Sequence, residues 1–385
     1  MFRHFRSSAA ALALTLAGVL ALAACSAPGK SSGGGSSASG PIKIAVVDAQ
    51  SGQLSSLGDW EYKGAKLAAD QWNQAGDING RKLQLDVLDD QGDPTVGTNV
   101  ARRIASGGYV AMLGTAESAV TIAMAPILQQ AKIPNITSGQ SPGLVALKSP
   151  FLFLNGPTST TYDETLAKFV VDQKGLKKIA MLTNNGAFGK GEHDSFMKSL
   201  SSRSVTPVAD KVVTADQKDF SAVLTAIRAA KPQLIFLGAE EVESGLIVKQ
   251  ARDLGITIPF AGAAPQGTPV FRDTAGVANI EGTYVSSPYL GNTISDAAKK
   301  FATDYKAAYG KDAELHGAKA YDGANILFTA LKSSNLATGQ ALADAIRATK
   351  YNGLLGNFAY DGTGVGIFAT SIGIIHNGQL TAANG

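Results

Sequence analysis

The stretch "IKIAVVDAQSGQLSSLGDWEYKGAKLAADQWNQAGDINGRKLQLDVLDDQGDP", residues 42–94, sets the architecture. Its opening run, 42–49, is short and β-branched, as a buried parallel strand should be; 58–75 reads as a helix, and "KLQLDVLDD" (82–90) as a second strand. A strand, a helix and a strand in that order predict a βαβ unit and a parallel sheet. Further strands are expected at 109–115 and 133–138, with helices at 94–106 and 117–131. In "DPTVGTNVARRIAS" the helix start is explicit: Asp93 can cap, Pro94 suits the first helical position, and Val96, Val100 and Ile104 recur at helical spacing.

The series then repeats. Strands at 177–185, 208–214, 232–239 and 258–263 alternate with helices near 189–202, 218–230 and 242–254, so two α/β units are expected, meeting near 156. After them come "EGTYVSSPYL" (281–290), helices near 293–309 and 316–333, and a Gly-rich, β-like end at 358–378. That remainder has no core of its own and is expected to complete the two earlier units.

Ahead of the folded body, Arg3, His4 and Arg6 precede an apolar run at 9–24 that ends in small residues, the pattern of a secretory signal. The run is shorter than the roughly 20 residues a spanning helix needs. Leu22-Ala23-Ala24-Cys25 resembles the lipobox of bacterial lipoproteins, which implies cleavage before Cys25 and a lipid on its sulfur. Cys25 is the only cysteine in the sequence, so no internal disulfide can form. The alternative is an ordinary signal peptide with an incidental cysteine. Residues 26–40, "SAPGKSSGGGSSASG", read as a flexible tether reaching roughly 20 Å. The signal carries two of the 34 basic residues and none of the 31 acidic ones, leaving a nearly neutral body and no electrostatic case for nucleic acid.

Motifs for catalysis are weak. Gly139-Gln140-Ser141-Pro142-Gly143 is a literal G-x-S-x-G after an expected strand, yet Pro142 has no N–H to give to an oxyanion hole. His193, His316 and His376 fit no metal spacing and read as surface or core histidines; Gly186 to Gly191 match neither a P-loop nor a dinucleotide loop. No cofactor, no metal and no enzymatic activity are expected. Binding needs less: in open α/β sheets, ligands meet the carboxyl ends of strands, where helix starts offer N–H groups. Two such junctions stand out, "LGTAES" leading into a helix near Ser118, and "NITSGQS" presenting Gly139 and Ser141.

The 42–94 stretch resembles the start of the branched-chain amino acid binding proteins of ABC transporters, which are type I periplasmic binding proteins. "KDFSAVLTAIRAAKPQLIFLG" (218–238), "GLIVKQARDLGI" (245–256) and "GAKAYDGANIL" (317–327) continue the likeness in order, so it covers 42 to 380. It implies two Rossmann-like α/β lobes joined by three crossings, near Asn155–Pro157, Ser287–Tyr289 and Gly356–Phe358, with a ligand enclosed as the lobes close. The lobes would comprise 41–156 with 288–356, and 157–287 with 357–385, behind a signal at 1–24 and a lipidated tether at 25–40. The resemblance further implies that Ser118, the backbone of Gly139, and Ser141 grip a ligand carboxylate, that Phe188 closes over the ligand, and that Leu57 and Trp60 line its pocket. Each has a plainer alternative: helix-capping serines, a core phenylalanine, a tryptophan packed under its own helix.

One position departs from that pattern. Ala264 stands where those proteins carry the acidic residue that balances a ligand ammonium. Glu240 or Glu241, directly after the strand at 232–239, is expected to substitute, unless both merely favour a solvated helix start. The expectation is a monomeric, exported solute-binding lipoprotein, attached to the membrane by its lipid alone. It would capture a small amino acid or related carboxylate or amide and deliver it to the permease and ATPase subunits of an ABC importer. A ligand sensor on the same fold and an exported serine hydrolase are the alternatives.

Overall fold

A computed structural model of the chain describes residues 40–290 and 295–383. The signal-like run, Cys25 and nearly all of the tether lie outside the described residues.

The first sheet is wholly parallel. Its strands are β1 (Ile42–Asp48), β2 (Leu83–Asp89), β3 (Ala111–Gly114), β4 (Asn135–Thr137) and β5 (Leu152–Leu154), in the order β2-β1-β3-β4-β5. The connections are α1 (Ser55–Ala75), α2 (Pro94–Ser106), α3 (Ser118–Gln130) and the short α4 (Pro142–Ala146). Asp93 caps α2 through its carboxylate, which accepts the N–H groups of Thr95 at 2.7 Å and Val96 at 3.0 Å.

The chain then leaves this sheet through Asn155 and enters α5 (Ser159–Ala167), whose helix continues as a π-turn over Lys168–Gln173. The second sheet is built from β6 (Ile179–Asn184), β7 (Ala209–Val213), β8 (Leu234–Gly238), β9 (Phe260–Gly262) and β10 (Tyr284–Ser287), with α6 (Ala187–Ser201), α7 (Ser221–Ala229), α8 (Glu241–Asp253) and α9 (Pro269–Ala275) between them. Its interior buries Leu182, Ile235, Leu237, Val248 and Phe260 on one side, and Phe196 stacked on Phe236 at 3.9 Å on the other.

Beyond β10 the chain returns to the first lobe. There α10 (Asp296–Tyr309), α11 (Leu315–Ser333), α12 (Gly339–Ala348) and the antiparallel strands β11 (Lys350–Gly353), β12 (Gly356–Tyr360) and β13 (Gly366–Ile367) complete it. Ile326, Phe328 and Leu331 of α11 share one core with Ile44, Val46 and Phe153 of the sheet. The helices α1 and α11 pack closely because a Cβ at Gly64 would stand 2.1 Å from the carbonyl oxygen of Gly317. Finally β14 (Ser371–His376) and β15 (Gln379–Ala382) pair antiparallel at the edge of the second sheet, giving the order β15-β14-β10-β9-β8-β6-β7.

The third passage between lobes therefore lies between Phe368 and Ser371, and the expected crossing at Gly356–Phe358 is corrected. Phe358 and Tyr360 alternate inward along β12, pack edge-on at 4.9 Å, and join Phe153 and Phe368 in the first core. The aromatic residues of the Gly-rich end bind its front half to the first lobe, and only the segment from Ser371 pairs with the second sheet. Among the described residues no helix is long and apolar enough to cross a membrane.

Candidate functional site

The carboxyl ends of β3 and β4 run directly into the two junctions singled out in the sequence. Gly114 ends β3 with a positive φ of 93°, and a Cβ there would lie 2.0 Å from the carbonyl oxygen of Val47, so only glycine lets the chain turn at this point. Glu117 then caps α3 by backbone position without a side-chain bond, and Ser118 opens the helix. The Ser141 N–H donates to Ser118 Oγ at 3.2 Å, which joins the two junctions. The Gly139 N–H, expected to face a ligand, instead donates to Thr137 Oγ1 at 3.0 Å, and Ser141 Oγ accepts the Gly143 N–H at 3.2 Å as the cap of α4. The hydroxyl protons of Ser118 and Ser141 are thus the donors that these side chains retain. Both residues are buried.

The second lobe closes onto this corner. Gly191, on the first turns of α6, lies so near Ser141 that a Cβ there would be 3.1 Å from Ser141 Oγ and 2.9 Å from Pro142 Cδ. At another point the Gln53 amide of the first lobe donates to Asp216 at 3.3 Å, and its oxygen accepts from Lys218 Nζ.

Between the lobes, acidic groups converge. Glu240 caps α8 by position with no side-chain bond and is half-buried, while Glu241, the first residue of the helix, is 4% exposed. His316, in the first turn of α11, places Nδ1 3.0 Å from Glu314 Oε2 and 3.9 Å from Glu241 Oε1. Glu117 stands within electrostatic reach of Glu241, His316 and Glu61. Burial, reinforced by Glu241 and Asp90, pushes the Glu117 carboxyl up to about 8. Burial and the charges of Glu117 and Glu241 likewise raise Glu240. Burial lowers His316, but Glu314, Glu241 and Glu61 outweigh it and hold the imidazole at about 9, a cation at neutral pH. One turn beyond Phe188 on α6, Glu192 is fully buried, bonded to the Ser159 hydroxyl, and pushed up to about 7 by desolvation.

The remaining expected residues are more scattered. Phe188 is buried in the first turn of α6, and Leu57 is buried in α1. Trp60 stacks on Tyr305 at 5.9 Å, packing against α10, and also borders a groove of about 1060 Å³. Asp59, Ala264, Thr268, Ser287 and Glu314 line the same groove, whereas Ser118, Gly139, Ser141, Phe188 and Glu240 do not. Ala264 is buried and carries no charge; beside it Gln266 holds the end of β8 by donating to Ala239 O at 3.0 Å and Ser244 Oγ at 2.8 Å. Among the described residues no cluster of three or more His, Cys, Asp or Glu has a geometry that would hold a metal ion.

Four members of the convergent cluster, Glu61, Glu117, Glu314 and His316, are not marked as site residues by the sequence. Glu117 sits in "GTAES" beside a residue that was chosen, and the strand-end rule covers it equally. His316 enters from a helix that is far away along the chain, and no local pattern marks it. Ser141, the serine of the G-x-S-x-G motif, caps α4.

Residues 41–370 match the family described as Periplasmic binding protein. The chain is 28% identical over 319 residues to the Leu/Ile/Val-binding protein BraC3 of Rhizobium johnstonii, covering 80% of this chain and 84% of that one. It is 25% identical over 331 residues to the leucine-, isoleucine-, valine-, threonine- and alanine-binding protein of Pseudomonas aeruginosa, covering 86% and 88%. In structure it resembles the branched-chain amino acid transporter substrate-binding protein LivJ of Streptococcus pneumoniae in complex with isoleucine, with a TM-score of 0.83, 26% identity, and coverage of 89% of this chain and 98% of that one. A solute-binding protein of an ABC transporter from R. palustris in complex with benzoate shares the fold, with a TM-score of 0.81, 20% identity, and coverage of 89% and 95%. The two parallel-rich lobes and the sequence match over nearly the whole described body agree: the chain belongs to the periplasmic binding protein family.

Proposed function

We propose that this protein is the extracytoplasmic solute-binding component of an ABC importer. It captures a small amino acid or related carboxylate or amide between its lobes and delivers it to permease and ATPase subunits, performing no covalent chemistry. The observation that carries this reading is that the lobes meet at groups of two kinds, with Gly191 of the second beside Ser141 of the first and Glu241 of the second 3.9 Å from His316 of the first. The hydroxyls of Ser118 and Ser141 on one lobe are donors suited to a carboxylate, and Glu240 and Glu241 on the other suit an ammonium. Contacts made by both lobes favour the closed state, which a transporter can recognise. The lipobox-like sequence at Cys25 supports a lipid anchor on the outer face of the membrane, with the body otherwise free of it and monomeric.

Thermal-shift screening against amino acids, amides and aromatic carboxylates tests the reading, since a ligand at 100 times its dissociation constant adds roughly 2.7 kcal/mol. With a hit in hand, Ser141→Ala should weaken binding by about 1–3 kcal/mol. A pure protein that hydrolyses generic esters, and loses that activity in Ser141→Ala, would replace binding by catalysis.

A further inference from the structure

The cleft holds more acid than one ligand ammonium requires. Glu61, Glu117, Glu241 and Glu314 interact there with His316, and Glu61 and Glu314 with Lys319, while Glu240 faces the like charges of Glu117 and Glu241. Lys319 Nζ is already engaged by the Ser138 carbonyl oxygen at 2.8 Å, and His316 by Glu314. Several acceptors remain open: Glu61 Oε1, Glu117 Oε1 and Glu192 Oε2 are buried without a hydrogen-bond partner. Glu61 is 2% exposed and Glu192 0%, so water does not reach these side chains from outside. The carboxylates of Glu240 and Glu241 at the start of α8 stand near Glu117, and such like charges in a desolvated cleft are mutually unfavourable. An apolar side chain placed among them would remove their remaining solvent and give nothing back.

We infer that the ligand of this protein is a small organic cation of the basic amino acid type, bearing an ammonium or guanidinium group besides its α-ammonium. The inference rests on the proposal that a solute binds between the lobes. The carboxylate of such a ligand meets the hydroxyls of Ser118 and Ser141, and its two positive groups distribute over Glu240 and Glu241 of the second lobe and Glu117 of the first. The upward shift of Glu117 to about 8, caused by burial and the charges of Glu241 and Asp90, agrees with a site completed by a cation. Hydrogen-bond donors on the ligand also satisfy the open acceptor of Glu117, which a leucine-like side chain cannot do.

The experiment is calorimetric titration of the folded body with matched pairs that differ in charge: L-arginine against its isostere L-citrulline, and L-lysine against L-norleucine, with L-leucine alongside. The basic member of at least one pair is expected to bind about 100-fold more tightly than its neutral partner. Glu117→Gln and Glu241→Gln should each reduce that ratio by about tenfold or more while keeping or raising the melting temperature of the ligand-free protein, which shows that the loss is not misfolding. If citrulline, norleucine or leucine binds as tightly as its basic counterpart, the charge assignment is overturned and solute capture stands. If none of these amino acids binds, and no solute in the broader thermal-shift screen does, both fall together.

Discussion

His316 Nδ1, in the first turn of α11, lies 3.9 Å from Oε1 of Glu241, the first residue of α8, so an imidazole carried by one lobe faces a carboxylate carried by the other. The pair is buried, and it sits beside Glu117, Glu240 and Glu314. In the proposed reading, protons and ligand act on the same groups.

One consequence is a dependence of stability on pH. Desolvation raises Glu117 to about 8, Glu192 and Asp322 to about 7, and Asp90 to about 6, against ordinary values of 4.5 for Glu and 3.8 for Asp. Each of these groups keeps its proton in the folded state at a pH where the unfolded chain has lost it, so each disfavours the fold progressively as pH rises from about 4 to its raised value. His316, held at about 9 in place of 6.5, stabilises fully below 6.5 and loses that contribution as pH rises through 9, in the same direction. Lys319, lowered to about 8, relieves its penalty only between 8 and 10.5, outside this window. The melting temperature of the ligand-free protein should fall by about 5 °C or more from pH 5 to pH 8. A rising melting temperature over that interval would contradict the buried acidic cluster.

Gly191 tests closure separately from chemistry. Alanine there improves helix propensity by about 1 kcal/mol, yet its Cβ would press on Pro142 Cδ and Ser141 Oγ across the cleft. Gly191→Ala should leave the ligand-free melting temperature unchanged or higher and weaken ligand binding at least about tenfold. Small-angle scattering with saturating ligand should show less compaction than in the natural protein.

Lys319 is 1% exposed, and its ammonium holds the Ser138 carbonyl oxygen near Glu61 and Asn155. Lys319→Met leaves a buried carboxylate without one of its cations and should cost about 3 kcal/mol at neutral pH in denaturant unfolding. Adding Glu61→Gln should recover much of the loss; a double variant no better than the single would show that the two groups are not coupled.

Cys25 lies outside the described residues, and its test is biochemical. Cys25→Ser should release the protein from the membrane fraction and leave ligand affinity unchanged. Retention on membranes washed in high salt would end the lipoprotein reading.

The sequence made the alternation of strands and helices legible because buried parallel strands are short β-branched runs and the helices between them carry caps, as Asp93 and Pro94 do for α2. The third crossing, placed at Gly356–Phe358 on the resemblance, lies later in the chain, because Phe358 and Tyr360 anchor that segment in the first core. No local signal marks the shift, since it is set by the tertiary packing of those two aromatic residues. For the proposed site, the strand-end rule pointed to Ser118, Ser141 and Glu240, which follow the ends of β3, β4 and β8. The same rule could not reveal His316, since only the close packing of α11 on α1 through Gly64 brings that helix start to the cleft. Nor could it reveal that the Gly139 N–H is taken by Thr137, because a hydroxyl two residues away competes with any ligand only once the turn is formed.

A crystal structure of the protein with the solute identified by thermal shift tests the central claim most directly. The ligand is expected between the lobes, its acidic group within hydrogen-bonding distance of Ser118 and Ser141 and its positive group within reach of Glu240 or Glu241. A ligand seated instead in the groove bordered by Asp59, Trp60, Ala264 and Thr268, with the cluster around Glu117 and His316 untouched, would contradict it.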